Sequence, residues 1–369
     1  MTTVQEVIRR LEEHFPRYLA EEWDNPGLQF GDPQQEVHNI LTALDLREEV
    51  VSQAIDQKVQ LIVTHHPVFF KPVKSLRFDR QPDRDILRLI RANISVYSAH
   101  TNLDTGEYGL NQYLSEAVGL QNIRPLNRRY AEKAVKLEVM VPVDYAEKVR
   151  EALGKVGAGN MGNYSDSFFL TEGTGTFFPR EGAQPFLGTV GKLERAQEVK
   201  LETIAWEKDV SRILQTLTQV HPYEEPAISI LPLKNISKAY SLGRVGDIAP
   251  TSLEEWVKQV KHNLGLEHIL VTGEKTTQIH RVAVVSGAGI EFMRDAVKKG
   301  CQVLLTGDMK YHEAQAARNL GLCVVDAGHQ GTEQIVSRLL GELLEREKLQ
   351  NGWKVQVKEA QSSPVIYCC

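Results

Sequence analysis

The chain has 369 residues, 42% of them hydrophobic and 25% charged, a length that exceeds one ordinary core and calls for two or three domains. Its 43 basic and 48 acidic residues leave a formal net charge of −5, which argues against a phosphate-backbone binder, so nucleic acid is not expected as a partner. No apolar run approaches a membrane span or a signal region, so a cytoplasmic protein is expected.

Val4, Val7, Ile8 and Leu11 recur at helical spacing in residues 3–14. WDNPGLQFGD (23–32) reads as a loop by its Asp, Asn, Pro and Gly content, VHNILTAL (37–44) as a strand leading to Asp45, and residues 47–57 as a helix. LIVTHHPVFF (61–70) then carries a buried strand, because apolar and β-branched residues dominate it until Pro67, which cannot continue a central ladder. His65 and His66 therefore fall at the carboxyl end of a strand, where parallel α/β sheets place ligands and chemistry. Adjacent strand residues point to opposite faces, so the two imidazoles share one site only where the backbone bends, and Pro67 supplies a reason for the bend. A basic stretch, KPVKSLRFDRQPDR (71–84), precedes a helix over 83–92 and the strand ISVYSAH (94–100). His100 and Asp104 sit just past that strand's end, before a helix beginning at GLNQYL. Strand–helix–strand alternation of this kind builds a mostly parallel sheet covered by helices.

The pattern changes near residue 130. Strand VKLEVMVPV (135–143), a helix, a Gly-rich β segment, strand VKLETIAW (199–206), a second helix and strand PAISILPL (226–233) follow in β-α-β-β-α-β order. That order defines an inserted, ferredoxin-like α+β domain over 131–236, within a discontinuous α/β core of 1–130 and 237–369. GAGNMG inside the insert lacks the Lys-Ser/Thr of a P-loop and reads as tight-turn glycines. HPYEEPAI (221–228), with His221, Glu224 and Glu225, reads as a loop or an interface.

The α/β pattern resumes after about residue 238, with a helix over 252–263 and the strands RVAVVSGAG (281–289), QVLLTGD (302–308) and CVVDAGHQGTEQ (323–334), each running into a helix. WKVQVKEA supplies a final strand. These strands are continuously apolar, as expected when helices cover both faces. Cys301 and Cys323 lie in such runs and read as buried free thiols, while the adjacent Cys368 and Cys369 end the chain without a physical account.

His329 and Glu333 lie four residues apart after another strand, so a helix starting near His329 stacks them on one face within reach of a single cation. Three strand ends thus bring together His65, His66, Asp104, His329 and Glu333 as metal ligands. Five N/O donors without cysteine suit Zn first, with Mn, Fe or Ni as alternatives. Two carboxylates allow one to bridge, so two divalent ions per chain about 3.5–4 Å apart are expected. His100, Asp308 and His312 are read as groups that orient ligands or move protons, with His100 and His312 the candidates for general acid and base.

TALDL (42–46), VTHHP (63–67), SAHTNLD (98–104), SGAG (286–289), TGD-x-x-YH (306–312) and AGH-x-x-x-E (327–333) resemble the motifs of the Nif-three-like dinuclear metal proteins, labelled GTP cyclohydrolase I type 2 homologues. The resemblance spans nearly the whole chain and implies metal ligation by the same five residues. One departure is TGD, where a glutamate is often found in place of Asp308. The insert, through GAGNMGNYSDSFF and HPYEEPA, resembles the PII/CutA-like domain of the longer bacterial members. The resemblance further implies a toroidal homohexamer with metal sites facing an internal cavity.

Two readings stay open. The first is a metal-dependent hydrolase acting on a nucleotide or related small molecule, for which the family label suggests GTP although no residue reads guanine. The second is a non-catalytic metal-binding scaffold or regulatory protein that senses a small ligand through the inserted domain. A ring threading DNA is disfavoured by the net charge.

Overall fold

A computed structural model describes residues 1–81 and 83–366 and divides the chain into two compact units, Met1–Tyr130 with Tyr240–Cys369, and Ala131–Ala239. Cys368 and Cys369 lie outside the described residues.

The larger unit carries two sheets. Leu61–Thr64 is buried at all four positions and lies parallel between Asn39–Ala43 and Ser95–Ser98. Gln356–Glu359 adds a parallel strand on one side and Gly27–Phe30 an antiparallel one on the other. The register aligns Ala43, Thr64 and Ser98, so three strands end at one level and release their next residues at a common rim. In the second sheet Gln278–Val284, Val303–Thr306 and Cys323–Asp326 run parallel and are flanked by antiparallel Leu270–Thr272, Arg244–Ser252 and Gln121–Pro125. Apolar residues fill both faces of these central strands, and the helices Leu253–Asn263 and Val336–Asn351 bury Trp256, Leu340 and Leu344 among them. Cys301 and Cys323 are buried free thiols.

The loop expected over 23–32 contains the short edge strand Gly27–Phe30. Its Asp-Asn-Pro-Gly lead-in reads as turn chemistry, and a short edge strand needs little pattern of its own. The segment after His100 is also more regular than expected, because Thr101–Thr105 forms a short helix before Leu110–Ala117.

In the smaller unit the strands Tyr130–Pro142, Phe168–Phe177, Glu194–Trp206 and Ile228–Tyr240 lie in the order second, third, first, fourth. Their pairings are antiparallel where Glu194–Trp206 meets its two neighbours. Alternating residues, among them Leu137, Val139, Val141 and Leu201, pack against the apolar stripes of helices Ala146–Lys155 and Val210–Val220. His221 in this unit contacts the Met140 carbonyl through Nε2 at 2.9 Å, a structural role.

Candidate metal centre

The site is built where the ends of both parallel strand sets meet. Directly after Thr64 the chain curls: the His65 and His66 amides both donate to the Leu44 carbonyl, at 3.2 and 3.1 Å, and Thr64 Oγ1 donates to the His66 carbonyl at 3.0 Å. This curl brings the two imidazoles to one side, with ring centroids 5.1 Å apart. One strand over, the helix Thr101–Thr105 returns the Asp104 amide to the His100 carbonyl at 3.0 Å, which turns Asp104 back toward the rim. Arg244, 3% exposed, pins the far side of that turn by donating to the carbonyls of Thr105 and Gly106.

The second sheet supplies the helix His329–Glu333, which stacks those two residues one turn apart. Two glycines make room for it. A Cβ on Gly287, at φ +57°, would meet Glu333 Oε1 at 2.4 Å, and one on Gly307 would meet the backbone of Gly328 and His329 at 2.7 Å. Directly after Gly307, Asp308 takes a left-handed φ of 57°, a strained position for a non-glycine residue.

Five donors converge. His66 Nε2 and His329 Nε2 lie 3.0 and 3.2 Å from Glu333 Oε2, and His65 Nε2 lies 3.6 Å from Asp104 Oδ1 and 4.0 Å from Glu333 Oε1. His100 joins from one side, its ring 5.1 Å from His65 and 5.4 Å from His66. Two groups have ligand atoms close enough to hold a cation, His65 with His66 and His100, and His66 with His329 and Glu333.

Each imidazole is turned the same way. Nδ1 of His65 contacts the Ala99 carbonyl at 2.8 Å, of His66 Asp45 at 2.6 Å, of His100 Asp24 at 2.8 Å and of His329 Asp308 at 2.7 Å. An Nδ1–H donated to each oxygen leaves four Nε2 lone pairs free for a metal, as in carboxylate–histidine–metal triads. The donor set also fails to satisfy itself: His65 Nε2, Asp104 Oδ1 and Glu333 Oε2 are buried without a hydrogen-bond partner. Buried polar atoms are seldom orphaned, and a divalent cation among these would satisfy all three, so the residues fit a metal.

Without a metal, the electrostatics divide the donors, leaving His65 neutral and favouring a proton on His66, His329 and Asp104. Burial pushes the His65 imidazole down to about 3, so it stays neutral. Burial also presses on His66, but its bond to Asp45 and the nearby Glu333 carboxylate win and carry it up to about 10. Glu333, together with Asp308, raises His329 to about 9. Burial, then the charge of Glu333, pushes Asp104 well above the usual carboxylate range. Glu333 is driven the other way: burial would raise it, but His329 and His66 hold it down. For Asp24 and Asp45 burial is likewise outweighed, by bonds from His100 with Thr101 and from His66, and both carboxyls are lowered.

A cavity of about 730 Å³ opens above the cluster, lined by His66, His100 and His329 with Trp23, Phe70 and Ile86 among others. That size suits a small-molecule ligand.

The structure thus brings His65, His66, Asp104, His329 and Glu333 together, and adds His100 at ligand distance rather than further out. His312 is exposed on the helix Tyr311–Asn319, where its ring meets Gln315 and Tyr311, and no contact among the described residues joins it to the cluster. Sequence reasoning missed Asp24, which sits in a stretch that announces only a turn. Asp45 was within reach, since it follows a strand end as the ligands do.

Fold and donor set define a class: a two-sheet α/β protein with His and carboxylate groups able to bind metal at the meeting of its strand ends. Residues 2–364 match the family Duf34/NIF3 (NGG1p interacting factor 3), and the chain belongs to that family. It is 41% identical over 343 residues to a GTP cyclohydrolase 1 type 2 homolog of Halalkalibacterium halodurans, covering 93% of this chain and 92% of that protein. A Bacillus subtilis protein of the same description is 36% identical over 98% of both chains. The crystal structure of a Bacillus cereus protein related to NIF3 is similar across 100% of this chain and 99% of that one, with a TM-score of 0.92 and 37% identity. No helix among the described residues is long and apolar enough to cross a membrane.

Proposed function

We propose that this protein is a metal-dependent hydrolase of a nucleotide or related small molecule. His65, His66, Asp104, His329 and Glu333 would hold two divalent ions, zinc first and Mn, Fe or Ni as alternatives. The observation that carries the reading is the group of three orphaned, buried ligand atoms beneath a cavity of ligand size. When bound, the ions supply Lewis-acid polarisation of a substrate oxygen and a nucleophile at neutral pH.

The chain's own residues do the rest. Asp45, Asp308 and the Ala99 carbonyl hold three imidazoles in one tautomer and one orientation. His100, oriented by Asp24, is placed to take or give a proton at its Nε2 beside the cavity. The assignment extends to His312 only if His312→Ala lowers turnover at unchanged metal content. The relatives' description supports a nucleotide such as GTP as the first substrate class to try, and the motif resemblance to the Nif-three-like proteins implies a homohexamer. Metal-loaded protein that turns over nothing in a broad nucleotide and phosphoester panel, indistinguishably from His65→Ala, would sink the hydrolase.

One observation favours a second reading, a metal-stabilised scaffold. His65 is wholly buried and Asp104 is 6% exposed, so an ion there also contributes folding energy. That reading expects a large fall in Tm on chelation and a small ligand that binds without being consumed.

A further inference from the structure

Trp23 and Phe70 leave 61% and 49% of their surfaces exposed, although rings of this size usually find cover. One exposed aromatic needs no explanation, but these two stand side by side on the wall of the cavity above the cluster. Their ring centroids are 6.5 Å apart and their planes 26° from parallel. Each ring stands nearly perpendicular to His100, at 5.8 Å for Trp23 and 5.7 Å for Phe70.

Polar bonds one residue away hold the pair in place. Next to Trp23, Asp24 accepts from the Thr101 amide at 3.0 Å and binds His100, while Asn25 Nδ2 donates to the Phe69 carbonyl at 2.7 Å. Next to Phe70, the Phe69 amide donates to Gln29 Oε1 at 3.2 Å. Two segments remote in sequence are thereby tied together, and the rings are set before any ligand arrives, which lowers the ordering cost of binding.

We propose that Trp23 and Phe70 form a stacking shelf that takes the planar aromatic ring of the ligand and presents it to His66, His100 and His329. The proposal rests on the small-molecule reading of the site above and adds the ring to it. A π surface reads flatness rather than a hydrogen-bond pattern, so the shelf tolerates different bases.

The test is equilibrium dialysis of full-length, metal-loaded protein with guanosine, adenosine, cytidine, ribose and ribose 5-phosphate. Trp23→Ala is expected to weaken nucleoside binding about tenfold, Trp23→Phe to restore most of it, and Phe70→Ala to cost less. Ribose 5-phosphate, which has no ring, should bind all variants alike. Three results overturn the shelf: nucleosides binding no more tightly than ribose, Trp23→Ala weakening ribose 5-phosphate equally, or a self-association of the protein that Trp23→Ala abolishes. Ring binding through Trp23 without turnover would keep the shelf and sink the hydrolase. Turnover of a nucleotide unaffected by Trp23→Ala would do the reverse.

Discussion

The His65 side chain has no exposed surface, whereas His329 keeps 40% of its own. Both offer Nε2 to the same carboxylate, yet they are prepared in opposite ways. His65 is kept neutral by burial and anchored to a backbone carbonyl, while His329 leans on two carboxylates that favour its protonated form. The contrast divides the centre into a dry half, with His65, Asp104 and Glu333, and a wet half, with His66, His100 and His329 facing the cavity. A bound cation would displace protons favoured on His66 and His329 in the wet half and on Asp104 in the dry half, where it would also fill the orphaned lone pair of His65.

The largest expected effect comes from removing the group the halves share. Glu333→Ala should cut metal content from about two ions per chain, measured on protein purified without added metal or chelator, to one or none. If the mutant retains the wild-type content, Glu333 is not a ligand and the two halves are unconnected.

The next effect compares the wet-half supports. Asp45→Asn and Asp308→Asn should each weaken metal affinity about 10–100-fold, read by competition with a chelator, because each loosens an imidazole without removing it. Equal affinities in wild type and mutants would leave these carboxylates as ordinary ion-pair partners.

The halves should also respond oppositely to pH in metal-free protein. His66 and His329 have folded values raised to about 10 and about 9, so their stabilisation is complete below about 6.5 and is lost as pH rises through those values. His65 is depressed to about 3, so its stabilisation is present above about 6.5 and is lost as pH falls toward that value. In chelator, Tm should therefore fall on both sides of neutrality, and His329→Gln should flatten the alkaline side alone. A variant whose alkaline limb matches that of wild type would remove the wet half's charge from the account.

The smallest effect is expected at His312. It is exposed and meets only neighbours on its own helix, so His312→Ala should leave metal content unchanged and alter stability by no more than about 0.5 kcal/mol. Loss of metal in this variant would extend the centre beyond the cluster.

Much of the fold was legible because it is written in local pattern. The apolar run Leu61–Thr64 reads as a covered strand wherever it is placed, and Pro67 marks its end. The antiparallel flanks were less legible: Arg244–Ser252 contains Gly246 and Pro250, which weaken any strand signal, and pairs with strands on both sides only after folding. Within the site, His65, His66, Asp104, His329 and Glu333 stood out as candidates because each follows the end of an apolar strand. Asp24 did not, since its bond to His100 joins residues 76 apart in sequence.

By itself, then, the sequence determined the alternation of strands and helices and the release of metal-binding residue types at strand ends, because both follow from hydrophobic period and chain direction. Tertiary structure alone decided which face each imidazole turns and which carboxylate steers it. It also decided that Trp23 and Phe70 stand together over the same cavity. Those are relations between segments separated in the chain, and only the pairing of strands and the packing of their ends and loops create them.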